Sequence, residues 1–107
     1  MADIATVDEA RAAFAFGADV VGTTLSGYIG GPEPEGPDFN LLARVAKIGG
    51  PVIAEGRIHA PGQAATAMRN GAFAIVVGSA ITRPEHITRW FADAIARPSA
   101  GRTADIA

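Results

Sequence analysis

Side chains capable of chemistry stand directly behind four short apolar runs in this sequence. Asp3 follows the first. Thr23, Thr24, Ser26 and Tyr28 follow Val20-Val21, and Glu55 and Arg57 follow Val52-Ile53-Ala54. Gly78, Ser79, Thr82 and Arg83 follow the run Phe73 to Val77. Strand ends of this kind carry the ligand sites of βα proteins. Glu55 closes a buried run, and a partly desolvated carboxylate suits general acid–base work. A structural ion pair with Arg57, or a cap on a neighbouring loop, is the alternative for the same residue. Gly78-Ser79 ends the last strand just before a helix, where backbone N–H groups can cradle a phosphate. Gly56 and Gly78 would let an anion approach the main chain closely, and Arg83 could add a charged fork. An ordinary tight turn, with Arg83 in solvent, explains the same residues more simply. Asp3 can orient a substrate hydroxyl or cap the next helix. Thr24, Ser26 and Arg57 are candidates to contact substrate. His59 reads as support for a helix start, and Trp90 as packing.

The elements that must position these residues follow from the apolar pattern. Short β-branched runs alternate with helical periods, which indicates βα units and a parallel sheet. The strands are placed at Met1 to Ala5, Asp19 to Thr23, Pro51 to Ala54 and Phe73 to Val77. Thr6-Val7-Asp8-Glu9 is a capping box that starts a helix running to about Phe16. Asp38 caps a helix from Phe39 to Ile48. Pro61 opens a third, closed by Asn70-Gly71, and Pro84 opens the last. Gly78 to Thr82 reads as a turn. Thr24 to Pro37 holds four glycines and three prolines, too many breakers for a regular element. Gly17-Ala18-Asp19-Val20-Val21-Gly22 is echoed 54 residues later by the segment opening at Gly71, as in paired βα units. The expected fold is α/β, a series of four parallel strands and four helices over 1–97, with 98–107 as a flexible tail. A complete eight-fold βα barrel takes about 250 residues, so four units make half of one. A half-barrel leaves one sheet face open to water, with Val21 and Val76 among its candidates, and leaves edge strands unpaired.

Taken in order, five segments resemble the N-acetylmannosamine-6-phosphate 2-epimerase family. They are Met1-Ala2-Asp3-Ile4-Ala5-Thr6, Gly22-Thr23-Thr24-Leu25-Ser26-Gly27-Tyr28, Gly36-Pro37-Asp38-Phe39, Pro51-Val52-Ile53-Ala54-Glu55-Gly56-Arg57-Ile58 and Val77-Gly78-Ser79-Ala80-Ile81-Thr82-Arg83-Pro84. The resemblance runs up to about Ile95 and covers the C-terminal half of the family's TIM barrel. It implies interconversion of N-acetylmannosamine 6-phosphate and N-acetylglucosamine 6-phosphate, in amino-sugar and sialic acid catabolism, with no cofactor or metal. The implied chemistry is proton removal at C2 and its return on the opposite face, shared by a lysine and a glutamate. The glutamate matches Glu55, and the aspartate of the Met-Ala-Asp motif matches Asp3 as a substrate contact. Gly56-Arg57 and Gly78-Ser79 match the phosphate-binding turns, with Arg83 beside them. The family's lysine belongs to the other half of the barrel, and Lys47 falls near the end of an outer helix. The chain alone is therefore expected to be inactive without a complementary half-barrel or a homo-oligomeric partner. A non-catalytic sugar-phosphate-binding or self-associating half-barrel, or a gene remnant, are the other readings.

Composition narrows the classes further. The 107 residues hold 49% hydrophobic and 19% charged types and a net charge of -2, which fits one globular core and excludes a disordered polyelectrolyte. There is no basic patch to bind nucleic acid. No cysteine is present, which excludes thiol catalysis and disulfides, and His59 and His86 lack metal-ligand spacing. The longest apolar run, Ala72 to Ile81, is half of the roughly 20 residues a membrane helix needs. No signal peptide is expected, and the expected location is cytoplasmic. Arg supplies eight of the nine basic residues, leaving Lys47 as the one lysine.

Overall fold

The computed structural model describes residues 1–28 and 31–97. The tail expected over 98–107, and residues 29–30 of the long loop, lie outside the described residues. The elements alternate as β1 (Ala2–Asp3), α1 (Val7–Ala15), β2 (Val21–Gly22), α2 (Phe39–Ala46), β3 (Val52–Glu55), α3 (Pro61–Arg69) and β4 (Ala74–Val76). The helices α4 (Ser79–Thr82) and α5 (Pro84–Ala96) follow. The four strands form one parallel sheet in the order β1-β2-β3-β4. Two helical details differ from expectation. The segment expected as a turn after β4 closes into the single turn α4, because the Ile81 and Thr82 amides both bond the Gly78 carbonyl. The described residues thus hold five helices rather than four. The second helix also stops at Ala46, two residues early, with Lys47 exposed at its C-terminal cap.

Local chemistry sets where the helices begin. The Thr6 hydroxyl accepts from the Glu9 amide at 3.1 Å, while the Glu9 carboxylate accepts from the Ala5 and Thr6 amides at 2.7 and 3.2 Å. This reciprocal pairing satisfies amides that a helix start leaves free. Asp38 caps α2 by accepting from the Leu41 amide at 2.9 Å. Ala60 has no side-chain acceptor at the start of α3. Gln63 compensates by reaching back, its Oε1 accepting from the His59 and Ala60 amides at 2.7 and 3.2 Å.

Strand register separates the two faces of the sheet. Ala2, Val21 and Val52 share a row, and so do Asp3, Gly22, Ile53 and Ala74. Side chains alternate along a strand, so these rows point to opposite faces. The first belongs to the face covered by helices, where Leu42, Val21, Val45 and Val52 are fully buried. Ile4, Ala10, Leu41, Ala54, Ile58, Ala67 and Ala72 complete that core. This corrects the expectation for Val21, which the register turns into the helix-covered core. Val76 lies on the other face and is exposed. Among the described residues, β1 and β4 are each paired on one side only. The helix α5 buries none of its residues, and Phe91 and Ile95 are each 69% exposed.

Candidate active site

The open face and the strand ends converge on Glu55. Glu55 ends β3 opposite Val76 of β4, on the face that also carries Asp3. Two consecutive threonines, immediately after β2, hold it from two directions. Thr23 is buried, and its hydroxyl both accepts from the Glu55 amide and donates to the Glu55 carbonyl, each at 3.1 Å. This prolongs the β2–β3 pairing with a side chain where the backbone of β2 has turned away. Thr24, pointing to the opposite face, places its Oγ1 2.7 Å from Glu55 Oε2 and 3.0 Å from Asp3 Oδ1. One hydroxyl therefore links the carboxylates of two strands.

A cavity of about 210 Å³ opens at this point. Its walls include Thr24, Tyr28, Glu55, Gly56, Arg57, His59, Val76, Gly78 and Ser79. Glu55, Gly56, Arg57, Thr24, Gly78 and Ser79, all singled out in the sequence, are thus brought to one hollow, and Asp3 adjoins it through Thr24. Gly56 has φ 117°, and a side chain there would meet no neighbour within 4 Å, so the main chain is bare toward the cavity. Ser79 opens α4, where the leading amides of a helix have no carbonyl partner within it.

Arg57 has a second task. Its Nε donates to the Gly36 carbonyl at 2.8 Å and its Nη1 to the Ser26 carbonyl at 2.7 Å. Its guanidinium lies 5.6 Å from the centre of the Tyr28 ring, within cation–π range. Arg57 thereby staples both ends of the glycine- and proline-rich loop to the end of β3. It adopts φ 58°, a left-handed conformation that costs a side-chain-bearing residue about 1–2 kcal/mol. Gly27 makes the staple possible: a Cβ there would lie 2.8 Å from Pro34 Cδ and 2.9 Å from Arg57 Nη1.

Two candidates sit elsewhere. Ser26 is buried and donates its hydroxyl hydrogen to Asp38 Oδ2 at 2.6 Å, so it ties the loop to the α2 cap and does not line the cavity. Arg83 pairs with Glu85 at the start of α5 and also lies outside the cavity lining. This pair is exposed, and the Arg83 guanidinium holds the Glu85 carboxyl below the usual glutamate range. Lys47 is not part of the cavity either.

The sequence reading passed over Thr23 as a mere strand-end polar residue. The signal was present: a hydroxyl at a buried strand end must bond backbone. The stacking of His59 on Trp90, with ring centres 4.5 Å apart, was also missed, because it joins residues far apart in the chain. A larger hollow of about 470 Å³ lies between α1 and α2, with Asp8, Arg11, Asp38 and Arg44 among its walls. It contains none of the strand-end candidates, so size alone does not locate the chemistry.

Residues 1–97 match the protein family described as "Putative N-acetylmannosamine-6-phosphate epimerase". The chain belongs to this family. A Yersinia pestis protein under the corresponding 2-epimerase description is 52% identical over 95 residues, which cover 89% of the chain and 41% of that protein. A Brucella melitensis protein named bifunctional enzyme NanE/NanK is 59% identical over 103 residues, covering 92% of the chain and 20% of that protein. The solved N-acetylmannosamine-6-phosphate 2-epimerase of Clostridium perfringens superposes with a TM-score of 0.82 at 46% identity, covering 87% of this chain and 42% of that one. The chain thus spans about two-fifths of these single-function epimerase relatives. The four parallel βα units seen here have their structural counterpart in the barrel-type epimerase. Among the described residues, no helix is long and apolar enough to cross a membrane.

Proposed function

We propose that this chain supplies the glutamate and the phosphate turns of an N-acetylmannosamine-6-phosphate 2-epimerase site, working in the cytoplasm. The observation that carries the reading is the single cavity shared by Glu55, Thr24, Gly56 and Gly78-Ser79, in a chain of this family. In the open-chain sugar the C2 hydrogen lies next to the C1 carbonyl. A base removes it as a proton, the electron pair passes into an enolate whose oxygen is on C1, and a proton returns to C2 on the opposite face. Nothing is oxidised or reduced overall, so the chemistry calls for two proton carriers placed on either side of C2. Glu55 is one of them, held by Thr23 and Thr24 at the rim of the open face. The second, a lysine, comes from strands outside this chain. The Gly56 and Gly78-Ser79 main chain holds the 6-phosphate, Asp3 and Thr24 contact the sugar, and Arg83 and Arg57 supply positive charge nearby.

Exchange at C2 tests this reading. The chain would be incubated in deuterium oxide with N-acetylmannosamine 6-phosphate, alone and with the part of the Clostridium perfringens epimerase that it does not cover. Deuterium should enter C2 only in the mixture, and Glu55→Gln should abolish formation of the other epimer. Turnover by the chain alone, or undiminished epimer formation in the variant, would overturn the assignment.

The open edges of β1 and β4 and the exposed Phe91 and Ile95 favour a second reading, a self-associating half-barrel. A monomer persisting in sedimentation at high concentration would exclude it.

A further inference from the structure

We infer that the stack of Trp90 on His59 is a clasp that sets the gap between the two phosphate turns, which makes Trp90 a positioning residue for the phosphate site. The inference rests on the sugar-phosphate reading above and concerns what holds its two turns at one spacing. Gly56 follows β3 and Gly78-Ser79 follows β4, so the turns belong to successive βα units. Strand pairing between those units ends at Glu55 and Val76. Beyond it, among the described residues, no hydrogen bond or ion pair joins residues 56–60 to residues 77–83. The packing there is also incomplete. An apolar hollow of about 200 Å³ lies between the start of α3 and α4, with Ile58, Ala60, Ala64, Val77, Ala80 and Ile81 among its walls. His59 borders both this hollow and the cavity that contains Glu55.

The aromatic pair spans this gap. The His59 ring centre lies 4.5 Å from that of Trp90, with the ring planes tilted by 35°. That separation falls in the range where aromatic rings attract beyond their area of contact. Trp90 lies on α5, which joins α4 through the single residue Arg83, the C-cap of one helix and the N-cap of the other. A shift of α5 therefore carries α4 with it, and with α4 the Gly78-Ser79 turn that begins it. The helix has little else to fix it, since α5 buries none of its residues and Phe91 and Ile95 are exposed. Trp90 is not among the cavity walls, so it acts on the site through His59, just beyond the Gly56 turn. The clasp biases the two turns toward the spacing at which one anion meets both. It can raise phosphate affinity by no more than the stack itself is worth.

Calorimetry of inorganic phosphate binding to the full chain tests the clasp. Trp90→Ala should weaken binding by about two- to tenfold, the worth of an aromatic pair, and Trp90→Phe should restore most of it. His59→Ala should weaken it by a similar factor. The double variant should lose no more than either single one, because both changes remove the same contact. Phe91→Ala, on the same helix but outside the stack, should leave the affinity unchanged. Coupling between sites is reciprocal, so saturating phosphate should slow amide exchange in α5 of the unaltered chain but not of Trp90→Ala. The emission of Trp90, the sole tryptophan, should follow the same titration. An unchanged affinity in Trp90→Ala, losses that simply add in the double variant, or an equal loss in Phe91→Ala would overturn the inference. A chain that binds no phosphate would overturn the sugar-phosphate reading and the clasp with it, whereas binding indifferent to Trp90 overturns the clasp alone.

Discussion

Replacing Thr23 with valine probes the anchor on which the site depends. Valine has nearly the same shape, so the change removes a hydroxyl and little else. That hydroxyl accepts from the Glu55 amide and donates to the Glu55 carbonyl, both at 3.1 Å, in a position only 6% exposed. The variant leaves the amide without its partner and the carbonyl with one bond fewer. An unmade hydrogen bond at a buried group costs about 1–3 kcal/mol. The added methyl recovers at most about 0.8 kcal/mol. We expect a net loss of about 2 kcal/mol. Thr23→Ser keeps the hydroxyl and loses one methyl group, so it should cost about 0.8 kcal/mol. Urea unfolding followed by circular dichroism reads both. With a slope of about 1–1.5 kcal/mol per molar urea for a chain of this size, valine should lower the midpoint by about 1.3–2 M. The amides around Glu55 should also exchange faster than those of the central core. A valine variant as stable as the serine variant would refute the argument that the hydroxyl holds Glu55.

Four further outcomes follow from the same geometry. Gly27→Ala should push Arg57 and Pro34 apart, and hydrogen exchange should quicken in the described parts of the 24–37 loop while α1 and α2 stay protected. Leu42→Ala, at one of the largest fully buried side chains, should cost about 2–5 kcal/mol by thermal or urea unfolding. Thr6→Ala removes half of the capping box and should cost about 1 kcal/mol. Glu85 should titrate below the ordinary glutamate value of 4.5, because Arg83 favours its charged form. The pair's contribution is present above that value and is lost as pH falls through the lowered one, an effect Glu85→Gln should remove from the pH profile of unfolding.

Much of this arrangement was legible in the residue order. Capping residues marked the starts of α1 and α2, and Pro61 and Pro84 those of α3 and α5, because these signals are local. Glu55, Gly56 and Gly78-Ser79 could be placed at strand ends, since βα order alone puts them there. Facing was harder. Val21 was expected on the open side, but inter-strand register decides which face a residue takes, and one step of register reverses it. The division of labour between Thr23 and Thr24 depends on the same alternation. Arg57 illustrates another limit. Its type and place indicated a ligand contact, yet two of its donor groups are taken by loop carbonyls 21 and 31 residues away in the chain. Ser26 was drawn to Asp38 in the same manner. Such partners are fixed by how a loop without regular structure folds back, which the spacing of glycines and prolines does not encode.

The most direct test of the central claim is an amide NMR map of the chain titrated with N-acetylmannosamine 6-phosphate. The account predicts shifts at Thr24, Glu55, Gly56 and Ser79, around the cavity at the strand ends. Shifts confined to the groove between α1 and α2, near Arg11 and Arg44, would contradict it.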